Sequence, residues 1–226
     1  MVAKMSYLRI LLVLLLASAL LGIAAAPPYQ VESSAVPAPD SLAAPIRAVL
    51  SPNALSVTTT TGPLCEIWLS KAIQETATPD TELAVNFGQI TQGALVDAMK
   101  LDAANMDYRS QRIQPGVYTM RYLLAPVDGD HQGVSDYRDS VLLVPAALDT
   151  SAAVMPTADL MKLSLKASGT GHPSVWSLVP ADHSPASLPA IVHQQESTDQ
   201  WVLFFEAPLA KPLPMGLVFI GHGQIS

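Results

Sequence analysis

Val117-Tyr118-Thr119-Met120-Arg121-Tyr122-Leu123-Leu124 is the stretch that decides the fold class. Tyr118, Met120, Tyr122 and Leu124 share one parity, while Val117, Thr119, Arg121 and Leu123 share the other. Side chains alternate across a strand, so this two-residue period predicts an extended segment with an apolar face turned to a core. Outward from it, short apolar or alternating runs recur at 54–60, 64–71, 82–87, 140–145, 174–179, 188–193, 200–206 and 216–220, separated by Pro, Gly, Asp and Asn. That spacing predicts a mainly β protein, an antiparallel β-sandwich of two packed sheets. Val202-Leu203-Phe204-Phe205 and Leu217-Val218-Phe219-Ile220 are apolar at both parities and belong at its centre. Pro208, Pro212 and Pro214 belong on the rim.

One short helix is expected after Thr157, which can cap it. Asp159 lies in its first turn, Leu160, Leu163 and Ala167 form a stripe, and Gly169 stops it. Residues 92–107 suit a helix by their Ala, Leu and Met content, yet Leu95, Asp97, Met99 and Leu101 also fit a strand. No repeat of solenoid or propeller length is visible.

The first 24 residues read as a signal peptide: Lys4 and Arg9 precede an apolar run from Ile10 to Leu16, and Gly22 and Ala24 supply the small residues of a cleavage site. The expected setting is secreted or periplasmic, with no membrane span after cleavage. Residues 25–46 carry Pro27, Pro28, Pro37, Pro39 and Pro45 among alanine and serine, which predicts a Pro/Ala-rich linker. Residues 47–226 then form the single β-sandwich domain.

The whole chain has 12 Lys and Arg against 19 Asp and Glu. Losing Lys4 and Arg9 leaves 10, a net charge of −9. This excludes nucleic acid as an expected partner, since a polyanion needs a basic stripe. A carbohydrate or an envelope protein is the expected kind of partner. The single cysteine, Cys65, shares a face with Ile67 and Leu69 and is expected to be buried and inert. Trp176 and Trp201 read as core residues, whereas Trp68, between Glu66 and Ser70, is the one expected at the surface.

The chemistry concentrates at 128–139. Asp128, Asp130, His131, Asp136 and Asp139 lie there with Gly129, Gly133 and Arg138. A hard cation wants several oxygens from a turning loop; a transition metal would take His131, a carboxylate and a second imidazole, for which His172 is the nearest choice. Arg121 and Arg138 are the candidates to support such ligands. A divalent metal is thus the one cofactor the sequence points to. The same Asp, Gly and Ser residues also make turns by bonding side chain to backbone.

No serine-hydrolase elbow, zinc-protease helix or phosphate-cradling glycine loop is present, so the expected function is a non-enzymatic binding or structural module. The alternative is a metal-binding protein or metal-assisted hydrolase centred on the 128–139 loop. Gln114-Pro115-Gly116-Val117-Tyr118-Thr119-Met120-Arg121-Tyr122, followed by Asp128-Gly129-Asp130-His131-Gln132-Gly133 and residues 139–145, resembles a group of exported bacterial proteins of unknown function. In that group a Gly-x-Tyr-Thr-x-Arg-Tyr strand leads into an Asp-Gly-x-His loop. The resemblance implies a bacterial envelope setting and a β-sandwich, and brings no activity with it.

Overall fold

The alternation at 117–124 produces a strand whose two faces are both covered. In the computed structural model, which describes residues 28–126, 135–180, 185–194 and 199–223, this strand is β7 (Gly116–Leu124). It pairs antiparallel with β4 (Leu95–Leu101) and β8 (Asp139–Pro145). The remaining strands are β1 (Tyr29–Ser34), β2 (Ala54–Thr59), β3 (Gly62–Leu69), β5 (Asn105–Met106), β6 (Arg112–Ile113), β9 (Val175–Val179), β10 (Ala190–Gln194), β11 (Gln200–Ala207) and β12 (Leu213–Ile220). Ten strands form one antiparallel sheet in the order β1-β2-β3-β4-β7-β8-β9-β12-β11-β10, and β5 and β6 make a separate two-stranded ladder.

The mainly β, antiparallel expectation is correct. What encloses the core is one continuous sheet, curled until its two edge strands, β1 and β10, come together as in a barrel. At that seam Tyr29 sets its ring edge-on to Trp201 at 5.0 Å and to Phe219 at 5.2 Å. The barrel interior takes one parity of each strand: Ile67, Met99, Met120, Val141, Trp176, Leu203 and Phe219 are all at most 1% exposed and belong to one cluster.

Outward-facing apolar residues need their own covers, and three smaller clusters supply them. Leu42, Ile46 and Leu50, on and beside α1 (Ala44–Val49), cover Ala54, Trp68, Leu95 and Ala98 on β2 to β4. Leu160 on α2 (Thr157–Ser168) covers Leu123, Leu142 and Val144 on β7 and β8. Tyr108 packs with Val179, Val202, Phe204 and Val218 on β9, β11 and β12. Among the described residues no helix is long and apolar enough to cross a membrane.

Several expectations are corrected. Residues 29–34, placed by composition in the linker, form β1, paired in register from Tyr29↔Thr59 to Ser34↔Ala54. Pro45 stands in the first turn of α1, where a missing N–H costs nothing. The described residues therefore hold two α-helices rather than one. Residues 82–87 form turns, not a strand, with Ala84 at φ 64°. Of residues 92–107, 95–101 form β4 and 105–106 form β5 with turns before and between them, and a bulge near Val96 shifts the register between Leu95 and Asp97. The residue capping α2 is Pro156, with no side-chain cap; Gly169 does end the helix in a left-handed conformation at φ 67°, its N–H bonding Leu165 O at 3.0 Å. Trp68, expected at the surface, is fully buried and donates Nε1–H to Val36 O at 2.7 Å.

Candidate functional site

β7, β8 and β9 turn Leu123, Ser140, Leu142, Val175 and Ser177 toward the outside of the barrel, and α2 lies across one side of this patch. Further along, the helix stands off and leaves a cleft of about 410 Å3, floored by those strand residues and walled by Met161, Lys162 and Leu165 of α2. The turn after the helix adds His172 and Pro173, the 107–111 turn adds Tyr108 and Arg109, and the chain entering β8 adds Tyr137 and Arg138.

The walls are held by hydrogen bonds that sequence inspection passed over. Asp107 is fully buried, and its carboxylate accepts four bonds. Oδ1 takes the N–H groups of Arg109 at 3.0 Å and Gln111 at 2.8 Å, and Oδ2 takes Gln111 Nε2 at 2.8 Å and Val175 N at 3.0 Å. Burial pushes its pKa up and these bonds pull it back. Gln111 also donates Nε2–H to Pro173 O at 2.8 Å and accepts from Thr170 Oγ1, tying the 107–111 turn to the turn beyond α2. Ser164 fixes the helix itself, its Oγ accepting from Ser174 N at 3.0 Å. The only sequence signal for this was an Asp-x-x-x-Gln spacing in a turn, which is common in loops.

Of the residues singled out from sequence, Asp128, Asp130 and His131 lie outside the described residues. Asp136 is exposed and does not line the cleft. His172 is exposed at the mouth of the cleft, where its carbonyl accepts Ser168 Oγ at 2.5 Å and Thr170 Oγ1 at 3.1 Å.

Asp139 is 1% exposed and fully engaged. Oδ1 accepts Tyr122 Oη at 2.6 Å and Phe87 N at 3.0 Å; Oδ2 accepts Asn86 N at 2.7 Å and Asn86 Nδ2 at 3.3 Å. An ionised carboxylate offers about four lone-pair sites. Tyr122 takes one, and the other three pin the 82–87 turns to β8, which is why those residues do not form a strand. Burial and the adjacent Asp139 charge raise the Tyr122 pKa, keeping the phenol as the donor.

Arg138 donates Nε–H to Ala125 O at 2.9 Å and Nη1–H to Glu82 Oε2 at 2.6 Å. Arg121 does not line the cleft. Fully buried on the outer side of β7, it spends its guanidinium on Asp149 and on the carbonyls of Gly93, Ser151 and Ala153. Its role is to strap the 149–153 segment to the barrel.

Among the described residues no three His, Cys, Asp or Glu side chains gather as a metal would require. Cys65 is buried as expected, and burial, reinforced by the negative charges of Asp102 and Glu66, pushes its thiol pKa up to about 12. Trp201 is half-buried and stacked on His193 at 4.2 Å, and His193 Nε2 meets Asp199 Oδ1 at 2.6 Å. A carboxyl also sits inside the barrel wall without full satisfaction. Asp97, 1% exposed between Leu69 and Met120, leaves Oδ1 without a partner, and burial pushes its pKa up to about 8 against a hydrogen bond from the Ser70 backbone.

Compared with protein-family models, curated proteins and solved structures, the chain matches none of them.

Proposed function

We propose that this chain is an exported, non-enzymatic binding module, secreted or periplasmic, whose small ligand sits in the cleft between α2 and the outer face of β7 to β9. The observation that carries this reading is the cleft itself. Its volume of about 410 Å3 falls within the range of about 300–1,000 Å3 typical of small-molecule sites, and its lining combines an apolar floor with a few polar groups at the rim. Walls fastened through Asp107 and Gln111 keep it open without a ligand, so binding costs little reorganisation. Export rests on the charged, apolar and small-residue order of residues 1–24, and the acidic balance speaks for a partner other than nucleic acid.

Methyl NMR on Leu- and Val-labelled protein tests the site. Titration with a mixed set of small aromatic and aliphatic fragments is expected to move the methyl signals of Leu123, Leu142, Leu165 and Val175, and Met161→Trp, which fills the mouth from an exposed position, is expected to abolish those shifts. Fragments that leave all four residues unmoved would refute the cleft as the binding site.

A further inference from the structure

We infer that the ligand of this cleft is a single-chain amphiphile with an anionic head, its hydrocarbon tail on the floor and its charged head at the mouth. The inference rests on the cleft being the binding site and adds the chemistry of what fills it.

The floor has two sorts of group. Leu123, Leu142 and Val175, with Leu165 on the adjoining wall, offer aliphatic surface, while the two hydroxyls among them, Ser140 and Ser177, stand opposite each other across the β8/β9 ladder. The Ser140 hydroxyl is occupied, donating to Leu123 O at 2.7 Å. A polyhydroxylated ligand such as a sugar requires many matched donors and acceptors around it. This floor supplies few and rewards a saturated chain, at roughly 0.8 kcal/mol per buried methylene, or about fourfold in affinity.

The mouth has the opposite character. Arg109 and Lys162 are exposed on its two walls, His172 stands beside them, and Arg138 lines the side nearest β8. Among the described residues the only acid lining the cleft is Asp139, whose carboxylate is consumed by Tyr122, Phe87 and Asn86. Asp107, which holds the Arg109 turn, is likewise filled by four N–H donors and buried. Arg138 is matched by Glu82, so the charges offered to a ligand are those of Arg109 and Lys162. In a chain with 19 acids and 12 Lys and Arg, the described rim residues carry two unmatched cations, Arg109 and Lys162, and no free acid, and the complement of those cations is an anion. An apolar trough ending in cations selects a tail with a negative head.

The test compares ligands that share a tail and differ in head. Dodecanoate and dodecyltrimethylammonium are titrated into the purified protein below their micelle concentrations, with the methyl signals of Leu123, Leu142, Leu165 and Val175 as the readout. The expected result is one dodecanoate per chain, bound about tenfold more tightly than the cationic amphiphile, with affinity falling about fourfold for each methylene removed toward octanoate. The double variant Arg109→Gln/Lys162→Gln, both exposed and outside the core, is expected to melt as the parent does and to lose the preference between heads. Equal binding of both heads at the cleft methyls would overturn the anionic head while leaving the cleft as a binding site. Binding of uncharged fragments there, with neither amphiphile bound, would also overturn it. If nothing moves those methyls, the cleft reading falls and this inference falls with it.

Discussion

Arg121 and Asp149 form a two-pronged ion pair withdrawn from solvent: Nε–H reaches Oδ2 at 2.7 Å and Nη2–H reaches Oδ1 at 2.9 Å, with both side chains 1% exposed. Thr119 Oγ1 adds a third donor to Oδ2 at 2.5 Å, and the remaining guanidinium hydrogens go to backbone carbonyls. A charge so placed is tolerated only while its partner remains. Asp149→Ala should therefore cost about 3–5 kcal/mol, read as a lower urea midpoint with an unchanged slope. A cost under 1 kcal/mol would mean that the carbonyls alone suffice.

Asp97 gives the stability a pH dependence of definite sign. Its folded pKa of about 8 lies above the ordinary 3.8, so the folded state holds a proton that the unfolded chain has released. The stabilisation is full below about pH 4 and is lost as pH rises through 8, by up to about 1.4 kcal/mol per pH unit. Asp97→Asn removes that slope. Urea unfolding of the parent and of Asp97→Asn between pH 4 and 9 should show the parent falling more steeply; parallel curves would place the carboxyl in contact with water.

Two glycines with positive φ should respond differently to alanine. At Gly169 (φ +67°) an added Cβ meets nothing within 4 Å, so Gly169→Ala costs only the left-handed backbone, about 1 kcal/mol. At Gly93 (φ +85°) the same atom would stand 1.9 Å from Met155 O, a backbone atom bound in place by the contact of Met155 N with Gly93 O at 3.1 Å. Gly93→Ala should cost clearly more, about 2–4 kcal/mol, and should loosen the strap that Arg121 holds. Thermal melting of the two variants side by side distinguishes the cases.

A binding module without a resident metal should melt at the same temperature with calcium, with zinc and with chelator. The metal-centred alternative predicts instead a stabilisation of about 2.7 kcal/mol at a hundred times the dissociation constant, weakened by His131→Ala and Asp130→Ala. An ion-dependent rise that those variants remove would transfer the function to the 128–139 loop.

Strands with a self-evident period were legible in the sequence. The alternation at 117–124 and the apolar runs at 200–206 and 216–220 became β7, β11 and β12 because both faces of each are buried. β1 was hidden because the prolines on either side of it advertise a tether, and what makes it a strand is the partner edge of β2, farther along the chain. The turns at 82–87 were misread because their backbone donors are claimed by the carboxylate of Asp139, a contact across 53 positions. His172 and Arg138 were legible as polar groups worth watching. The cleft they border was not, since it arises where α2 departs from the outer wall of the barrel. Arg109 and Lys162 carried no local pattern to mark them.

The seam where Tyr29 meets Trp201 and Phe219 also bears on when the barrel can close. Its two sides come from opposite ends of the folded region and touch through rings rather than through a ladder. Chain entropy makes so distant a contact the last and slowest to form. Until β10 to β12 have emerged, the growing chain has one side of its cylinder missing and cannot lock.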